Sequence, residues 1–126
     1  MRLIINADDF GLSKSITDGI VDGIKGGYIT STNIMANMPY TKYAVEEALK
    51  NNLKSVGIHI NLTVGKPIIK NPILIDENGV FLYNRKQIEN PYLTYESVYN
   101  EIMAQFDAIN KYSKGEIKIN HITTHH

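Results

Sequence analysis

The 126-residue chain contains no cysteine, which excludes disulfide frameworks and thiolate metal sites and leaves histidine and carboxylate as its strong metal ligands. It has no excess of either charge, because 13 lysines and arginines balance 13 aspartates and glutamates, and no basic run occurs locally. The expected partner is therefore neither a nucleic acid nor a membrane surface, but a small neutral or weakly charged molecule. No apolar run reaches membrane-spanning length, and Met1-Arg2 leads directly into a strand without a signal-peptide pattern, so the expected location is cytoplasmic. Low-complexity segments, linkers and repeats beyond a βα alternation are also lacking, so residues 1–126 read as part of one domain. What is present is a hydrophobic content of 43%, enough to bury an ordinary core.

The stretch Ile4-Ile5-Asn6-Ala7-Asp8-Asp9-Phe10-Gly11 reads as an apolar strand, buried on both faces, that carries two adjacent carboxylates to the end of a sheet. In α/β folds that end is where ligands bind. Neighbouring carboxylates repel, so a fold that holds them together usually supplies a cation or a shared proton. The plainer reading is an Asp-rich turn in which Asp9 or Ser13 caps the next helix.

Ser13 or Ser15 can cap a helix with Ile16, Ile20, Val21 and Ile24 at helical spacing, ended by Gly26-Gly27. Residues 28–35 read as a second strand, and Thr41 opens a second helix through Ala44, Val45, Ala48 and Leu49. A third strand at 55–63 alternates cleanly, with Ile58, Ile60 and Leu62 on one face and His59, Asn61 and Thr63 on the other. With helices covering one side, the His, Asn and Thr row faces inward and lines a site. Residues 65–91 form a long insertion with a predicted β-hairpin around Asp76-Glu77-Asn78-Gly79, placed to cover that site. Thr94 caps a helix with Val98, Ile102, Phe106 and Ile109 on one stripe, and residues 116–122 form a fourth strand leading into Thr123-Thr124-His125-His126.

Parallel βαβ topology puts the C-terminal ends of these strands on one rim, where Asp8 and Asp9, His59, and His121 to His126 converge. One carboxylate and two imidazoles make a divalent-metal site with room for water. Such a cation lowers the pKa of bound water, and the unused carboxylate is placed to take a proton, which describes metal-assisted hydrolysis. The ligand set suits Zn²⁺, whereas Mg²⁺ normally wants more oxygen.

The motifs Asn6-Ala7-Asp8-Asp9-Phe10-Gly11-Leu12-Ser13, Thr30-Ser31-Thr32, Gly57-Ile58-His59-Ile60-Asn61-Leu62-Thr63 with Gly65-Lys66-Pro67, and His121-Ile122-Thr123-Thr124-His125-His126 resemble those of the YdjC-like carbohydrate deacetylases, in the family's order. The resemblance implies a variant (β/α) barrel and divalent-metal-dependent (Mg²⁺ or Zn²⁺) removal of acetyl groups from N-acetylated sugars such as chitooligosaccharides. It implies Asp8 as general base, Asp9, His59 and His125 as metal ligands, and His121 and His126, with Asn61, lining the substrate pocket. Two departures stand out. Thr123 occupies the place of an Asp in the family's last motif, and family members are roughly twice this length, so this chain corresponds to the N-terminal, metal-side part of the barrel.

Two other readings compete. A response-regulator receiver has a similar length, a βα pattern and an acidic Mg²⁺ pair after its first strand, but it needs an Asp after the third strand and a Lys after the last, where this chain has His59 and a Thr-His-His end. A non-catalytic sugar- or metal-binding fragment is the other. Four strands cannot close a barrel that needs about eight, so the remaining expectation is an open edge covered by the rest of a longer polypeptide or by a second copy, near Ile5, Asn33, His59 and His121. A homo-oligomer is the form expected of the isolated chain.

Overall fold

The computed structural model describes residues 3–126. The chain runs β1 (Asn6–Phe10), α1 (Lys14–Lys25), β2 (Ser31–Ile34), α2 (Thr41–Lys50), β3 (Val56–Asn61), α3 (Asn84–Ile88), α4 (Tyr95–Ser113) and β4 (Ile122–His125). Local chemistry sets the helix ends. The Ser13 hydroxyl accepts the Ile16 N–H to start α1, and Thr94 and Ser97 form a reciprocal capping box at the start of α4.

All four strands pair in parallel in the order β1-β2-β3-β4, curling into half of a barrel. This sequential order is that of a (β/α) barrel and not the doubly wound order of a receiver domain, which removes that reading. The core lies between sheet and helices, where Phe10, Ile34, Val56 and Ile58 meet Ile20 and Val21 of α1, Ala44, Val45 and Ala48 of α2, and Ile109 of α4.

Four expectations are adjusted. The first strand begins at Asn6, and the apolar residues before it are not buried: Leu3, Ile4 and Ile5 are 66%, 77% and 43% exposed. Among the described residues β1 has a partner on one side only, so nothing covers this end of the sheet. The last strand lies at Ile122–His125 instead of 116–122, because it is the histidine segment that pairs with β3, Ile58 with Ile122 through Asn61 with His125. The hairpin after β3 is a single antiparallel rung, Ile75 with Phe81, folded around an Asp76 turn, after which Tyr83 leaves to start α3.

The fourth adjustment concerns α4. Its buried row is Ser97, Glu101, Gln105, Ile109 and Ser113; of the predicted apolar stripe only Ile109 belongs to it, while Val98, Ile102 and Phe106 lie one position away from the row and are half-buried. The buried polar groups are satisfied. Glu101 accepts the backbone N–H groups of Ile68 and Ile69 at 3.0 and 3.2 Å and the Gln105 amide at 3.1 Å, while Gln105 exchanges two bonds with the backbone of Asn61. This row ties α4 to the C-terminal end of β3 and to the insertion.

Candidate metal centre

Asp9, His59 and His125 come together at the C-terminal rim of the sheet. The His125 Nδ1 and His59 Nε2 atoms lie 3.0 and 3.3 Å from Asp9 Oδ1 and 3.3 Å from each other. Each residue arrives for a local reason. His59 and Asn61 stand on the inward face of β3, and parallel pairing sets Thr123 and His125 beside them. Asp9 reaches the cluster through a register shift between Ala7 and Phe10 and a left-handed backbone, φ 67°. Gly11, φ 102°, then turns the chain toward α1, where a Cβ would press within 3.2 Å of the Thr41 backbone.

The donor set fits a divalent cation. Asp9 Oδ1 is buried and has no hydrogen-bond partner among the described residues, a costly state for a carboxylate oxygen that a cation between it and the two ring nitrogens would relieve. His59 is almost wholly buried, and that burial pushes its pKa below the ordinary imidazole value against the pull of the Asp8 and Asp9 carboxylates, which favours the neutral ring with a lone pair to offer. Its other nitrogen, Nδ1, is 2.6 Å from Thr123 Oγ1.

Asp8 stands beside the cluster without entering it. Its Oδ1 lies 3.9 Å from His59 Nδ1 and accepts bonds from the side-chain amides of Asn6 at 2.8 Å and of the fully buried Asn33 at 2.7 Å. Neither asparagine was singled out by the sequence pattern as an Asp8 partner. Asn33 has room only because residue 57 is glycine: a Cβ there would come within 2.7 Å of the His121 ring and closer still to Asn33 Oδ1.

Three residues expected to line the pocket are placed elsewhere. Asn61 is fully buried and fully engaged, its Oδ1 accepting the Thr63 and Val64 N–H groups and its Nδ2 bonding Asn37 and the Val64 carbonyl, so it staples the turn after β3. His121 precedes β4 at the opposite end of the strands, bonded to Ser31 Oγ at 3.0 Å, and lines an open hollow of about 850 Å³ with Leu3, Ile4, Ser55 and Asn120. His126 turns outward to Thr63 Oγ1 at 3.1 Å and to the Tyr83 ring of the insertion.

The chain has counterparts among known proteins. A carbohydrate deacetylase of Clostridium beijerinckii is 45% identical over all of this chain and 50% of its own length, and one from Oceanobacillus iheyensis is 42% identical over all of this chain and 54% of its own. A carbohydrate deacetylase of Vibrio cholerae is 33% identical, with 49% of its length covered. A crystal structure from Enterococcus faecalis V583, of a protein ascribed to cellobiose-phosphate cleavage, superposes with a TM-score of 0.86 at 36% identity over 97% of this chain and 47% of that one. The chain thus spans about half the length of the curated relatives it matches. With a half-barrel carrying the Asp-Asp, His and Thr-Thr-His-His motifs at the rim, and with the family model described as YdjC-like protein matching residues 2–126, this chain belongs to the YdjC-like family.

Proposed function

We propose that this chain forms the metal-holding half of a deacetylase that hydrolyses the acetamide of N-acetylated sugars, chitooligosaccharides among them. The observation that carries this reading is the Asp9, His59 and His125 cluster with a second carboxylate, Asp8, directly beside it; the names of the relatives support the substrate class.

Asp9, His59 and His125 would hold the cation, and two nitrogens with one oxygen favour Zn²⁺ over Mg²⁺. A divalent cation bound there supplies a Lewis acid for the acetyl carbonyl and for the water that attacks it. Asp8 is the proton acceptor. The Asn6 and Asn33 amides both bond its Oδ1, which fixes the carboxylate plane and leaves Oδ2 to take the proton from attacking water. Its side chain is half exposed, so water can reach it. Asp9 is occupied by the cluster and takes no part in proton transfer, so the two neighbouring carboxylates divide the work.

Acetate release from an N-acetylated chitooligosaccharide, measured on the full-length protein together with its metal content, tests this. Asp8→Asn is expected to lower turnover about 10²- to 10⁴-fold with metal retained, the usual cost of a lost general base. Asp9→Asn is expected to lose metal. Equal metal loss in both variants refutes the division between the carboxylates.

A further inference from the structure

His59 offers Nε2 to Asp9 and His125, and its Nδ1 lies 2.6 Å from Thr123 Oγ1. The pairing of His59 with Thr123 across β3 and β4 sets both side chains on the same face of the sheet, so the contact follows from the register. An imidazole that binds a cation through Nε2 keeps a lone pair there, which places the proton of the neutral ring on Nδ1. That proton meets the Thr123 oxygen. The other nearby acceptor, Asp8 Oδ1, is 3.9 Å away, beyond hydrogen-bond reach.

We infer that Thr123 is a positioning residue for the metal centre: its hydroxyl accepts the Nδ1–H of the metal-ready His59 ring and holds the ring in the rotation that aims Nε2 at the cation. The inference rests on the metal reading above and goes beyond it, since Thr123 is not one of the three residues that would hold the cation. A hydroxyl also differs from a carboxylate at this place. It both accepts and donates, so its bond to Nδ1 survives when the metal-free ring carries its proton on Nε2 beside Asp9. A carboxylate would accept only and would hold the metal-ready tautomer at all times. Thr123 therefore gives a centre that releases its ion more readily than a carboxylate in the same place would.

Zn²⁺ affinity by chelator competition, with ¹⁵N NMR of the His59 ring, tests this in the full-length protein and its Thr123→Val, Thr123→Ser and Thr123→Asp variants. Valine keeps the branched shape and removes the acceptor, and its affinity is expected to fall about 10- to 100-fold, as for other groups that orient a metal-binding histidine. Serine is expected to restore it, aspartate to exceed it, and the Zn²⁺-loaded wild type to carry its ring proton on Nδ1. Valine binding as tightly as threonine, or serine as weakly as valine, overturns the inference. Should Thr123→Val fail to fold, the aspartate arm decides: affinity no higher than wild type overturns it. A wild type that binds no divalent ion instead overturns the metal reading itself.

Discussion

Glu101 carries a buried carboxylate that hydropathy alone would place in solvent. It accepts three bonds, from Ile68 N–H, Ile69 N–H and Gln105 Nε2, and is fully buried. In Glu101→Gln the amide oxygen can take the place of Oε1 and keep two of the bonds, which turns the new NH₂ group against the Ile69 N–H. A hydrogen bond to a charged group, worth about 1.5–3 kcal/mol, is lost, and two donors face each other without water. The neutral amide is easier to bury than the carboxylate, which offsets part of this. The net expectation is a loss of about 1–3 kcal/mol. Glu101→Ala strips all three donors and leaves a void, for which about 3–5 kcal/mol is expected.

Urea denaturation followed by circular dichroism reads both. With an m value of about 2 kcal/mol/M, a loss of about 2 kcal/mol lowers the midpoint by about 1 M with m unchanged. The effect should reach the site, because Gln105 bonds both the N–H and the C=O of Asn61, two residues beyond His59, and Glu101 helps hold Gln105 in place. A Glu101→Gln midpoint indistinguishable from wild type refutes the reasoning, since it would mean that the three donors find other partners without cost.

Gly57→Ala pushes Asn33 and His121 apart and releases the Asn33 bond to Asp8; turnover is expected to fall with metal content unchanged, alongside an overpacking cost of about 1–3 kcal/mol. Tyr43→Phe removes a 2.6 Å bond to Asp18 that joins α2 to α1, and Asp18 is held below its ordinary value of 3.8 by Lys14 first and Tyr43 second. A carboxylate depressed in the folded state stabilises above its unfolded pKa and loses that contribution as pH falls through the folded one, so the gap in urea midpoint between Tyr43→Phe and wild type is expected at pH 7 and should close in acid below 3.8. Residues 1–126 expressed alone leave β1 and β4 each paired on one side, with Leu3, Ile4 and Ile122 mostly exposed; a second copy closing the barrel is the expected cover, read by light scattering, and a stable monomer of 14.2 kDa would contradict it.

Much of the site was legible because two periodicities and a topology suffice for it. Alternation along residues 55–63 places His59 on the inward face, and parallel βαβ connections bring strand ends to one rim. His121 was grouped with that rim because residues 116–122 alternate as well as Ile122–His125 do, and periodicity does not choose between them. Pairing with β3 chooses, and it sets His121 at the far end of the strands above Gly57. The buried row of α4 was hidden for a different reason. Hydropathy treats Glu101 and Gln105 as surface residues, and only the N–H groups of the insertion and of Asn61 that they satisfy, distant in sequence, make them core. Thr123 stood out in the sequence only as a departure from a motif, with its partner 64 positions away.

The different places of the two aspartates, Asp9 in the cluster and Asp8 beside it, have a backbone cause that periodicity does not show. On a regular strand, neighbouring side chains point to opposite faces, so Asp8 and Asp9 should not both serve one site. The shift in register between Ala7 and Phe10 and the φ of 67° at Asp9 break that alternation, turning Asp9 onto His59 and His125 while Asp8 stays against Asn6 and Asn33. A left-handed backbone costs most residues about 1–2 kcal/mol, and aspartate and asparagine adopt it more readily than other side chains. The residue type at position 9 is thus constrained twice, by the backbone it must adopt and by the oxygen it must present. Asn meets the first requirement and supplies only a neutral oxygen for the second, so Asp9→Asn isolates the charge from the backbone.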